Sequence, residues 1–140
     1  MITDLNKAKN ILESGRYTCV LCKGENIFTC KERGVEPLIN LFDSKKDLNG
    51  FSAADKVVGN AAAFLYVLLE VKEVYAHVMS ETALQTLDGR KIDCSYDFLV
   101  KDIINRTGIG ICPMEEAVRG LNDPVEALYA IRRRLSEMKS

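Results

Sequence analysis

At 140 residues the chain is long enough for one hydrophobic core and too short for two ordinary ones, so residues 1–140 read as a single domain. A 47% hydrophobic and 28% charged composition is that of a folded globular chain and excludes a disordered or low-complexity protein. With 19 Lys plus Arg against 20 Asp plus Glu the formal charge is -1, so no global field draws it to a nucleic acid polymer or an anionic membrane.

The opening Met1-Ile2-Thr3-Asp4 has no basic segment leading into an apolar run, so a secretory signal is not expected and a cytoplasmic location is. Val57 to Leu69, the most apolar stretch, is shorter than the roughly 20 residues that cross a bilayer and reads as a buried helix. The odd set Cys19, Cys22, Cys30, Cys94 and Cys112, with no export signal, points to reduced thiols.

Thr3 or Asp4 caps a first helix with Leu5, Ala8, Ile11 and Leu12 at helical spacing, ended by Gly15. Tyr17 to Cys22 and Asn26 to Cys30, separated by Lys23-Gly24-Glu25, predict an antiparallel hairpin. A short helix begins near Pro37 and carries Leu38, Leu41 and Phe42; the polar stretch Asp43 to Gly50 follows as a loop. Ser52 with Asp55 three positions on has the form of a helix N-terminal signal, which places the start of the buried helix at Asp55-Lys56. Gly59 and Ala61 to Ala63 are small enough for close packing. Glu73 to Met79 reads as a strand, Ser80 as the cap of a helix through Leu87, and Ile92 to Tyr96 as another strand. Phe98 to Ile104 fits neither period well and is taken as strand around Ile103. Pro113 and Pro124 open the last helices, and Arg132-Arg133-Arg134 are expected to complement the negative end of the final helix dipole. This order predicts an α/β fold: a three-layer α/β/α sandwich whose mixed sheet is antiparallel on one side and parallel beyond.

Cys19 and Cys22 have the CxxC spacing of zinc and redox sites, but on a strand residues three apart face opposite ways, so they read as apolar filler. His77, the single histidine, reads as a hydrogen-bonded or surface strand residue. Cys112 stands at a helix N-terminus, where the dipole favours a thiolate and Glu115 and Glu116 oppose it. Asp55-Lys56 and Ser80-Glu81 are placed at two helix starts, where strand ends of an α/β sheet gather ligands and free N–H groups suit an anionic or polar molecule.

Ala54-Asp55-Lys56-Val57-Val58-Gly59, Val78-Met79-Ser80-Glu81-Thr82-Ala83-Leu84, and Asn105-Arg106 with Cys112-Pro113-Met114-Glu115 carry a resemblance. The chain is similar to a small prokaryotic family of unknown function, DUF1893, of the cytidine-deaminase-like superfamily. Zinc deaminases place His-x-Glu and Pro-Cys-x-x-Cys at the starts of two core helices. Matched to that pattern, Asp55 takes the first ligand position and Val57 that of the proton-shuttling Glu; Met79 replaces the Pro, and Ser80 and Ala83 replace the two Cys. The resemblance implies the scaffold and its cleft without zinc-dependent deamination, and neither a metal nor another cofactor is expected.

The expectation is therefore a small-molecule binder, with a nucleotide or nucleoside as the ligand class, in a cleft lined by Asp55, Lys56, Ser80, Glu81, Cys112 and Glu115. The alternative is an enzyme of zinc-independent chemistry, with Asp55 or Glu81 as acid–base group or Cys112 as nucleophile. Neither a nucleic acid polymer nor a membrane is an expected partner, and a homo-oligomer stays open.

Overall fold

Gly24, at φ +60°, turns the chain between β1 (Cys19–Lys23) and β2 (Asn26–Cys30) and pairs Lys23 with Asn26. Helix α1 (Asp4–Ser14) clamps this turn: Gly24 N donates to Asp4 Oδ1 at 3.0 Å and Lys7 Nζ to Gly24 O at 2.9 Å. The computed structural model describes residues 2–105, 108 and 110–139. Its five-stranded sheet, completed by β3 (Ser52–Val58), β4 (Glu73–Ser80) and β5 (Asp93–Val100), has the order β2-β1-β3-β4-β5. β1 is antiparallel to β2 and β3, whereas β3, β4 and β5 are parallel, so the mixed α/β sheet expected from the element order is present.

Alternation along the strands divides the core in two. On one face Ala8 and Leu12 of α1 pack with Val20, Cys22, Ala54 and Tyr75. On the other, Leu21, Ala53, Val74 and Ala76 meet α3 (Asn60–Leu69), and α2 (Glu36–Asp43), α4 (Glu81–Gly89) and α6 (Pro124–Lys139) pack around that helix. Cys19 and Cys22 accordingly belong to different faces, which removes the CxxC reading.

The principal correction concerns residues 52–58. They form a strand, and the helix begins only at Asn60, with Gly59 in extended conformation before it. Ser52 caps nothing; its hydroxyl donates to Glu73 Oε2 at 2.5 Å across the sheet. A central strand covered on both faces is nearly continuously apolar, so Ser52–Val58 merges with the apolar helix after it and periodicity cannot separate them. A second correction is that Asp93–Val100 is one unbroken eight-residue strand, outside which Ile104 makes only an isolated bridge to Ile111. Third, the arginines sit inside α6 rather than at its end. Arg132 forms a two-pronged pair with Asp43 at 2.6 and 3.0 Å, and Arg134 donates to Pro113 O at 2.7 Å, tying α6 to α2 and to α5 (Pro113–Ala117).

The register that pairs Val58 with Met79 sets the ends of β3 and β4 side by side, so α3 and α4 start at the same end of the sheet. Ala61 and Ala63 are the fully enclosed small residues of α3. Ala63→Leu should overpack this layer and cost about 1–3 kcal/mol, read as a lowered denaturant midpoint at unchanged slope.

Candidate functional site

Where β3 passes through Gly59 into α3, a cavity of about 440 Å³ opens. Buried Cys19 and half-buried Asp55 lie at its base, exposed Lys56 and Arg33 at its rim, and Cys112 and Glu115 on the side made by α5. Val35, Leu38 and Ile103 supply apolar wall. A wider depression of about 730 Å³ beside Gly24 is bordered by Lys23, Glu25, Lys46 and Asp47, all exposed, and brings no buried ionisable group to its surface.

Asp55 reaches this position from β3. Its Oδ2 accepts from the Tyr66 hydroxyl at 2.6 Å and its Oδ1 from the Val57 amide at 3.2 Å. Burial pushes its carboxyl up to about 6, and the bonds from Tyr66 and from the Val57 and Lys56 amides hold it back from rising further. Tyr66 is driven well above the ordinary phenol value, first by burial and then by the neighbouring Asp55 charge. A buried tyrosine needs a partner for its hydroxyl, and α3 is otherwise apolar along its buried face, so Asp55 supplies that partner across the helix–sheet interface.

Glu115 performs a different task. Its two carboxylate oxygens accept from Asn60 N at 2.6 Å and Ala61 N at 2.9 Å, straddling the first amides of α3. A helix start leaves such donors without intrahelical partners, and a carboxylate there also meets the positive end of the dipole. A Cβ at Gly59 would lie 2.5 Å from the Glu115 carboxyl carbon, so a larger residue there displaces this carboxylate from the α3 amides.

Of the residues singled out in the sequence, Asp55, Lys56, Cys112 and Glu115 surround the cavity; Ser80 and Glu81 do not line it. Ser80 is the cap of α4 as read: almost fully buried, it accepts from Ala83 N at 3.1 Å. Glu81 is exposed on the first turn of that helix. The corrected start of α3 also moves Asp55 and Val57 off a helix N-terminus and onto a strand. Of the amides expected to be free at two helix starts, Glu115 takes those of Asn60 and Ala61 on α3 and Ser80 takes that of Ala83 on α4. Cys112 is the N-cap residue of α5, a helix of only five residues, and is half-buried. His77 is an exposed strand residue whose Nδ1 lies 2.8 Å from Asp97 Oδ2. Arg106, part of the resemblance, lies outside the described residues.

Among the described residues no three His, Cys, Asp or Glu side chains are grouped so as to hold a metal ion, and no helix is long and apolar enough to cross a membrane. Sequence reasoning missed Tyr66 and read Cys19 as apolar filler. A lone hydroxyl inside an apolar helix was the available signal for the first. The two-residue turn, which puts Cys19 opposite Cys30, was the signal for the second.

A family model described as a domain of unknown function (DUF1893) matches residues 7–135. This chain belongs to the DUF1893 family. The solved structure of a DUF1893 family protein from Thermotoga maritima superposes with a TM-score of 0.85 at 30% sequence identity, covering 98% of this chain and 92% of that one. No curated protein matches.

Two outcomes follow from the geometry. Because the folded-state value of Asp55 lies above the unfolded one of about 4, the folded protein binds the extra proton between about pH 4 and pH 6, and stability falls as pH rises through that window. Asp55→Asn should flatten this dependence between about pH 4 and pH 6, measured by urea denaturation across pH. For the α3 cap, Glu115→Ala and Gly59→Ala should each cost about 1–2 kcal/mol, and the double variant little more than either, since both remove the same pair of bonds.

Proposed function

We propose that the cavity binds a small polar molecule of the nucleoside or nucleotide class, on a cytidine-deaminase-like scaffold without the zinc motifs. The observation carrying this reading is the fixed carboxyl of Asp55 at the base of a cavity of about 440 Å³, a volume suited to such a ligand. A carboxylate held in one orientation by Tyr66 and the Val57 amide accepts hydrogen bonds from an amino or ring N–H edge. Val35, Leu38 and Ile103 offer apolar surface to a planar ring. Lys56 and Arg33 at the rim are the cations available to a phosphate, because Glu115 already occupies the amides of α3.

The test is calorimetry and thermal shift with nucleosides and their monophosphates. One of these should stabilise the native chain, and Asp55→Ala should abolish the effect. Lys56→Ala should weaken a monophosphate by about tenfold and leave its nucleoside unchanged. Ala62→Leu, which places a larger side chain on the cavity wall, should block both. Absence of stabilisation by every compound at millimolar concentration, with the variants folded, removes this reading.

A second reading keeps the same residues and makes the protein an enzyme. A carboxyl with a value of about 6 is matched to proton transfer near neutral pH, which favours Asp55 over exposed Glu81 as the acid–base group. Cys112 remains as the candidate nucleophile on the α5 side. Turnover of the bound compound, with a pH limb near 6 that disappears in Asp55→Asn, would select the enzyme; binding without turnover selects the binder.

A further inference from the structure

The hairpin register places Cys30 of β2 directly opposite Cys19 of β1, and Cys19 opposite Asp55 of β3. The register is locked at this point, since the Cys30 carbonyl accepts from Thr18 N at 2.7 Å and from the Thr18 hydroxyl at 3.1 Å. Both cysteines pack on the α3 side of the sheet, and both are free thiols. Opposed residues of an antiparallel pair have Cα atoms about 4.5–5.5 Å apart, inside the span of about 4.4–6.8 Å over which disulfides close. An S–S bond here needs no sliding of strands.

The two thiols are not equivalent. Cys19 is 4% exposed; the neighbouring Cys30, then its burial and the nearby Asp55 charge, hold it protonated. Cys30 is half-buried on the edge strand, and the neighbouring Cys19 eases its ionisation against the opposing effects of burial, Asp55 and Glu32. A peroxide reaches the more exposed sulfur first, so Cys30 on the edge strand is the attacking sulfur and Cys19, enclosed on β1, the resolving one.

We propose that Cys19 and Cys30 are a redox-active dithiol that a small hydroperoxide oxidises to a cross-strand disulfide beside Asp55. The Cys30 thiolate attacks the terminal peroxide oxygen and the O–O bond breaks; the leaving alkoxide or hydroxide takes a proton from solvent, and Cys30 becomes a sulfenic acid. Cys19 sulfur then attacks Cys30 sulfur, the S–O bond breaks, and the hydroxyl leaves as water with the Cys19 proton. Both thiols are oxidised, and the peroxide is reduced to an alcohol, or to water, plus one further water. The proposal stands on the pair alone and is independent of what the cavity binds.

The test treats the full reduced chain with hydrogen peroxide, blocks remaining thiols and maps the peptides by mass spectrometry. The expected product is an intramolecular Cys19–Cys30 cross-link, reopened by dithiothreitol, with Cys22, Cys94 and Cys112 still alkylated. Cys19→Ser should leave Cys30 trapped as a sulfenic acid that dimedone labels, whereas Cys30→Ser should leave Cys19 unoxidised. A readout without variants uses brief iodoacetamide labelling of the wild-type protein, which should mark Cys30 before Cys19. A cross-link through another cysteine, an intermolecular product, no loss of the two thiols, or faster labelling of Cys19 would each overturn the proposal.

Discussion

A ten-residue helix with no polar face has to be enclosed on every side, and α3 imposes that requirement on the rest of the chain. The sheet, α2, α4 and α6 all pack around it, and its alanines let them approach. Enclosure then creates two polar debts that the apolar helix cannot settle itself. The amides of its first turn have no intrahelical acceptors, and Glu115 is brought from 54 and 55 positions away to meet them. The hydroxyl of Tyr66 has no water, and Asp55 meets it from β3. The carboxyl groups that border the cavity are thus positioned by the needs of one helix.

That dependence explains what could be read without coordinates. The hairpin, the cap at Ser80 and the mixed sheet were legible because turn chemistry and capping act over a few residues, as at Gly24 and between Ser80 and Ala83. Ser52–Val58 was not, because burial on both faces erases the alternation that marks a strand. The error propagated: with Asp55 assigned to a helix start, its expected neighbours were the residues of the next helix start, Ser80 and Glu81. On a strand its neighbours are instead Cys19 across the ladder and Tyr66 above. Glu115 was singled out near the site, yet its actual engagement with Asn60 and Ala61 joins segments so distant that no local pattern encodes it.

Asp55 is costly where it stands. Satisfying Tyr66 does not require an ionisable group, since a neutral side-chain oxygen would accept the same proton. A carboxyl raised to about 6 by burial contributes less to folding at neutral pH than it does below about pH 4. On the proposed reading the carboxyl of Asp55, raised by burial at the edge of an open cavity, is the candidate functional group, whereas the buried Ser80 hydroxyl accepts from Ala83 N and lies 3.2 Å from Thr82 Oγ1.

On the proposed binding reading, the charge pattern around the cavity orders the ways a ligand would enter. Carboxyl groups of Asp55 and Glu115 lie inside, and the cations Lys56 and Arg33 stand at the rim. A phosphate pushed inward would face Asp55 and would have to displace Glu115 from both amides of α3, exchanging one anion for another at the same donors. The same molecule turned round meets complementary groups at both ends: donor edges against Asp55, negative charge against the rim. Orientation on this account follows from Glu115 being present as a built-in anion, so a shortened side chain at that position, by freeing the amides of α3, would open the reversed pose as well.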